Sequence, residues 1–198
     1  KGGGSIATNT IVGYQALNSN TTGAYNTAVG YQAGYSNVGG SPTTVGYQAM
    51  YLGTGAFITA IGQQALRSST GDNNTAVGYQ AGYSNTTGTP NAYFGYQAGY
   101  SSTAGGSVVA IGYQAGASNS VGTSSTYIGA SCGPSATGSQ NTFVGSSAGS
   151  SVTTGAANTI VGFQAGQYGT SLTTGTGNVI IGMDAYTSIA GAVNQVVI

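Results

Sequence analysis

Very little in this chain could do acid–base or nucleophilic chemistry. Its 198 residues carry four charged side chains, Lys1, Arg67, Asp72 and Asp184, with no His, no Glu and one thiol, Cys132. General acid–base catalysis needs titratable groups within hydrogen-bond reach of one another, and a metal needs several converging His, Cys or carboxylate ligands. The two aspartates fall in different repeats, and the glycines of Gly2–Gly4 lack the lysine and spacing of a phosphate loop. The sequence therefore predicts no enzyme, no metal and no cofactor. Cys132 stands where the other repeats have Ala, which makes it a small buried residue rather than a reactive thiol. Two bases against two acids leave no basic stripe for nucleic acid or for an anionic membrane. No apolar run approaches the roughly 20 residues of a membrane span, so no membrane insertion is expected.

The side chains left for recognition are aromatic and amide. Tyr14, Tyr31, Tyr47, Tyr79, Tyr96 and Tyr113 recur as one row, continued by Phe163, and each is followed by a glutamine. A partial second row, Tyr35, Tyr51, Tyr83 and Tyr100, lies four places after the first. Rings beside Asn and Gln suit sugars, by stacking and hydrogen bonding, so these four are the candidate glycan or receptor contacts. The competing reading packs the rings in the coil or between subunits with the hydroxyl reaching water.

A repeat positions these residues. Its core reads Asn-Thr-Ala-Val-Gly-Tyr-Gln-Ala, as at Asn26–Ala33 and Asn74–Ala81. Its glycines are Gly13, Gly30, Gly46, Gly62, Gly78, Gly95, Gly112, Gly129, Gly145, Gly162 and Gly182, spaced 16 or 17 residues apart except for a last step of 20. A period this short holds one coil of chain. Low charge alone would point to disorder, but apolar residues recur at fixed phase and can be buried in register. The expected fold is all-β, a parallel β-solenoid or β-roll of about eleven coils, with 1–198 a single repeat domain cut from a longer fibre. The expected coil has two strands. The first carries Thr and Val two apart, hence on one face, assigned to the interior, and the residue between them is assigned to a second interface. The glycine is the bend, needing positive φ or a backbone approach that a Cβ would block. Gly-Tyr-Gln-Ala begins the second strand, and the Ser, Thr, Asn, Gly and Pro between copies form turns. Asn9, Asn26, Asn74, Asn91, Asn141, Asn158 and Asn178, four places before the glycine, are expected to hydrogen-bond as a ladder along the stack. Asn194–Ile198 reads as the opening strand of a twelfth coil, and Lys1–Ser5 precedes the first coil without a cap.

Asn-Thr-Ala-Val-Gly resembles the repeats of trimeric autotransporter adhesin heads. The longer form Gly-Tyr-Gln-Ala with Asn-Thr-Thr-Gly, at Gly13–Gly23 and Gly78–Gly88, is similar to repeats of phage and large-virus tail-fibre proteins. The resemblance implies a homotrimer of β-rolls on a virion or cell surface. The function expected from it is a stiff fibre segment of an attachment fibre or adhesin, with itself as partner and a host-surface glycan or receptor as a further one. The reading ranked second is an ice-binding solenoid, which needs outward Thr-x-Thr pairs on a flat face. Here the motif is Thr-x-Val with Val assigned to the interior, so it ranks lower, and an exposed and flat Thr row would reverse the ranking. A third is a matrix filament built by end-to-end stacking. Asn20, Asn73 and Asn85 lie in sequons that fall in turns, and Arg67 and Asp72 are placed to pair across one turn.

Overall fold

The computed structural model describes residues 8–167 and 172–198. Among the described residues the chain forms twelve short strands: β1 (Thr10–Val12), β2 (Thr27–Val29), β3 (Thr43–Val45), β4 (Thr59–Ile61), β5 (Thr75–Val77), β6 (Asn91–Phe94), β7 (Val108–Ile111), β8 (Thr126–Ile128), β9 (Thr142–Val144), β10 (Thr159–Val161), β11 (Val179–Ile181) and β12 (Val196–Val197). All lie in one parallel sheet in chain order. The register never slips: Thr10 stands opposite Thr27, Val29 opposite Val45, and Ile128 opposite Val144. The expected parallel β-solenoid is therefore present, and β12 is the opening strand of the twelfth coil. At the strand spacing of about 4.8 Å the stack is about 50 Å long. The turn that absorbs the twenty-residue step includes 168–171, and Lys1–Ser5 lies before residue 8; both fall outside the described residues.

Two expectations about the coil are corrected. The Gly-Tyr-Gln-Ala segment is a turn, so each coil holds one strand rather than two. Its glutamines sit at positive φ, between 51° and 57° from Gln15 to Gln164, which no extended strand allows. The turns still stack through backbone bonds between coils: Gln32 N–H donates to Tyr14 O at 2.9 Å, and Gly34 N–H to Ala49 O at 2.9 Å.

The strand's phase is also the reverse of the expected one. The middle residue points inward: Ala28, Thr44, Ala60, Ala76, Tyr93, Ala110, Tyr127, Phe143, Ile160 and Ile180 are fully buried. The flanking Thr and Val face outward, with Val12 58% and Ile111 40% exposed. The physical reason is chemical uniformity. An interior row of Thr would need a partner for every buried hydroxyl, whereas the middle row is Ala, Ile or aromatic at every coil but one, with only the Tyr93 and Tyr127 hydroxyls besides to satisfy. The exception, Thr44, donates to the Thr27 carbonyl at 3.2 Å.

Core volume is traded between the middle residue and the residue four places after the glycine. Gly99, Gly116, Gly133 and Gly149 stand there in coils with large or neighbouring large strand residues. A Cβ on Gly133 would lie 2.7 Å from Tyr127 Cδ1 and 2.9 Å from Phe143 Cδ2, and those two rings meet edge to face at 5.5 Å. Two coils with small strand residues, Thr44 and Ala60, have Met50 and Leu66 at that place, both fully buried, while the Ala28 coil has Gly34 there, against Leu17 of the coil before. Ala follows at the third place after the glycine, and Ala33, Ala49, Ala65 and Cys132 are all fully buried.

The glycine row fixes how closely coils approach. All eleven central glycines have φ between 129° and 139°. A Cβ on Gly46 would lie 2.6 Å from the carbonyl oxygen of Gly62, and one on Gly112 2.5 Å from that of Gly129. Both halves of the expectation for this row hold. Gly112→Ala should cost about 3 kcal/mol through strain and overlap, read as a lower thermal midpoint. Gly40→Ala, where an added Cβ meets nothing within 4 Å, should change stability by less than about 0.5 kcal/mol.

Candidate functional site

Each repeat position becomes a row on the rod. The asparagine row closes the coils as well as linking them. Nδ2 of Asn74, Asn91, Asn141 and Asn158 donates to the carbonyls of Gly88, Gly105, Gly155 and Gly175 at 2.8–2.9 Å, clamping the end of the same coil's turn. Oδ1 of Asn9, Asn91, Asn141, Asn158 and Asn178 accepts a backbone N–H of the next coil: Asn26 N–H donates to Asn9 Oδ1 at 2.9 Å, and Asn178 N–H to Asn158 Oδ1 at 3.0 Å. The side-chain ladder runs from Asn9 to Asn26 and from Asn141 through Asn158 to Asn178. It is broken where Pro42, Ile58, Val108 and Ser125 take the place of Asn, and also between Asn74 and Asn91, where Asn74 Oδ1 has no hydrogen-bond partner.

The glutamine row forms a longer ladder. Gln32 donates through Nε2 to Gln15 Oε1 at 2.8 Å, Gln48 to Gln32, Gln64 to Gln48, Gln80 to Gln64, Gln97 to Gln80, and Gln114 to Gln97 at 3.0 Å. Seven amides in a chain stabilise a turn whose φ an ordinary residue avoids. The sequence shows this row of Gln, but nothing in it marks Gln as left-handed.

The aromatic rows are stacks. Tyr14, Tyr31 and Tyr47 lie with centroids 5.7 and 5.4 Å apart, and Tyr79, Tyr96 and Tyr113 with 5.0 and 5.3 Å, all within 18° of parallel. Gln63 interrupts them, and their edges are exposed. The four candidate contacts do come together: Tyr35 lies 5.1 Å from Tyr51, and Tyr83 5.2 Å from Tyr100. Arg67 fills the gap, its guanidinium carbon 5.2 Å from the Tyr51 ring and 5.7 Å from the Tyr83 ring. Ring faces within the row therefore cover one another, and what solvent meets is edges and hydroxyls. Arg67 does not pair with Asp72, whose Oδ1 accepts the Ala56 N–H at 2.8 Å. The row of five was readable in part, because Arg67 stands five places after Gly62 as the tyrosines stand after theirs.

Buried titratable groups are held neutral. Burial pushes the Cys132 thiol up to about 12, and its Sγ lies 3.3 Å from the Phe143 carbonyl. Burial also raises Tyr93 to about 12 and raises Tyr127. Tyr93 donates to Ser102 Oγ at 2.8 Å, and Asn119 Nδ2 donates to the Tyr127 hydroxyl at 3.3 Å. These partners belong to an interior polar row with Asn20, Asn37, Ser69 and Asn85, all buried. Asn20 and Asn85, two of the three sequon asparagines, thus point inside the coil, whereas Asn73 is exposed. Among the described residues no group of three His, Cys, Asp or Glu could hold a metal, and no helix is long and apolar enough to cross a membrane.

The outward face of the sheet is a uniform surface along the stack. It carries the Thr row and the Val/Ile row, with Phe94 at coil six, and the first tyrosine row borders it. No charged residue stands in any of these three rows. The class that the fold defines is a parallel β-solenoid with an uncovered, charge-free sheet face. No family model, no curated protein and no solved structure matches the chain.

Two expectations follow for the buried groups. A thiol reagent at pH 8 should leave Cys132 unmodified in the folded protein and react fully once the chain is denatured. Tyr93 binds its proton more tightly folded than unfolded, so its contribution to stability is complete below pH 10 and is lost as pH rises from about 10 to 12. Denaturation midpoints should fall across that window, and Tyr93→Phe should flatten the fall while costing about 1 kcal/mol at neutral pH through the lost bond to Ser102.

Proposed function

We propose that this chain is a structural fibre segment that associates with copies of itself through the outward Thr/Val face, as a homotrimer on a virion or cell surface. The observation that carries the reading is that face. It is continuous over the sheet, half-exposed and apolar, and without charge. Its two outward rows along about 50 Å present on the order of 500 Å². A face of that size matches the largest patch an ordinary monomer exposes, and such a patch is often functional.

The occupant follows from periodicity. A surface repeating at the strand spacing is matched at every coil only by a partner with the same spacing, and a second copy has it. Charged residues are depleted at the centre of protein interfaces, as they are here. The resemblance to trimeric adhesin and tail-fibre repeats supports three copies over two. The axial ladders of Asn and Gln support a stiff spacer. The absence of His and Glu from the sequence supports a non-catalytic role.

A second reading gains from the reversed strand phase. Thr10, Thr27, Thr43, Thr59 and Thr75 stand outward in five consecutive coils, each with Val or Ile two places on. An outward Thr row is part of what an ice-binding face requires. This reading ranks second because the pairs are Thr-x-Val or Thr-x-Ile rather than Thr-x-Thr, and because the row stops at Ala92 and Val109 and again at Val179, with Phe94 beside it, so the face is Thr-lined only in part.

Light scattering should give three times the chain's 19.2 kDa. The double variant Ile111→Asp, Ile128→Asp, placed on the outward row, should give a folded monomer with unchanged β-sheet circular dichroism. A wild-type monomer that slows ice recrystallisation would replace the fibre reading with the second one.

A further inference from the structure

Arg67 is the one place on the described surface where a permanent charge meets an aromatic row. Its guanidinium sits between Tyr51 and Tyr83, in the coil position that Tyr occupies on either side. The residue is half-buried. Its Nε is buried without a hydrogen-bond partner, and Asp72, the nearest acid in sequence, is engaged with Ala56. A tyrosine at this position would continue the stack at no electrostatic cost, so the ring spacing does not require arginine. An arginine held between two rings is pre-oriented, and its terminal N–H fork is matched to a carboxylate.

The geometry points to a carboxylate-binding subsite at Arg67, bordered by the edges of Tyr51 and Tyr83, for an acidic sugar. The surroundings decide the class of ligand. Beside Arg67 stand neutral hydroxyl groups, those of Tyr51, Tyr83, Ser68 and Ser84, each half-exposed. One cation among neutral hydrogen-bonding groups complements a molecule with one carboxylate among hydroxyls. An acidic peptide or a nucleic acid would call for several cations, and the sequence has only Lys1 besides. The sugar does not stack on ring faces, since neighbouring rings and Arg67 cover them; it meets ring edges and hydroxyls. The subsite goes beyond the fibre reading and does not depend on it, because nothing in it draws on a second chain.

The test is a titration of the intact protein with glucuronic acid, followed by ligand-observed NMR, with glucose, acetate and a glutamate-rich peptide as controls. Arg67→Tyr is the informative variant, because it continues the tyrosine row and removes only the charge. Saturable glucuronate binding is expected, weakening with salt, absent for glucose, and reduced about tenfold or more in Arg67→Tyr, the loss expected for a charge-assisted hydrogen bond. Circular dichroism and mass unchanged in the variant assign that loss to the site and leave the oligomer question separate. Equal glucuronate binding by wild type and Arg67→Tyr, or none by wild type, overturns the subsite. Acetate or the peptide binding as tightly as glucuronate overturns its assignment to a sugar.

Discussion

Everything in this solenoid depends on two backbones meeting where no side chain fits. At ten of the eleven central glycines, all but Gly182, the next coil's carbonyl occupies the space a Cβ would need, and φ near +130° is open only to glycine. The bend therefore recurs at one place in every coil, and coils stack at strand spacing without drift. The unbroken register of twelve strands follows, and so does the alignment of every other residue with its counterpart above and below.

Alignment turns single side chains into lines. A lone glutamine at positive φ would be unfavourable. Stacked at one spacing, Gln15 to Gln114 satisfy each other's amides. Tyrosines on a turn become stacks, and Asn both closes its own coil and caps the next N–H. The core obeys the same logic with less symmetry. Tyr93, Tyr127 and Phe143 are too large for a coil this narrow, and the glycines at 82, 99, 116, 133 and 149 make room for them. A stack of this kind is held by neighbour-to-neighbour terms, so its stiffness comes from rows rather than from one deep core.

The glycine spacing made the architecture legible: period, parallel strands, coil number and the opening of a twelfth coil could all be read from it. The small buried row that includes Cys132 and the asparagine row were legible too. Strand phase was not. Thr-x-Val resembles an inward apolar pair because Val is the more hydrophobic partner, yet the deciding signal lay elsewhere, in the pairing of large middle residues such as Tyr127 with glycines such as Gly133. The second strand was misread because glutamine carries no left-handed preference; the position is left-handed in every coil, Ser131, Ser147 and Asp184 included, and the ladder between coils adds to a turn that the backbone bonds already set. Of the candidate contacts, the sequence placed the four tyrosines in one row, but only the structure shows that their faces cover each other and that Arg67 completes the row.

Reversing the phase changes what the surface is for. Thr and Val face out, so the sheet that organises the rod is also its unoccupied face, while the single arginine marks a distinct point on another row. Both features presuppose coils stacked in step from end to end. The most direct test is a distance along the rod. Spin labels at Thr22→Cys and Thr154→Cys, equivalent exposed positions eight coils apart, in a Cys132→Ala background and diluted with unlabelled protein, should give one narrow distance near 40 Å by pulsed electron resonance, eight spacings of about 4.8 Å. A broad distribution, or a distance well short of that value, would contradict stacking in step.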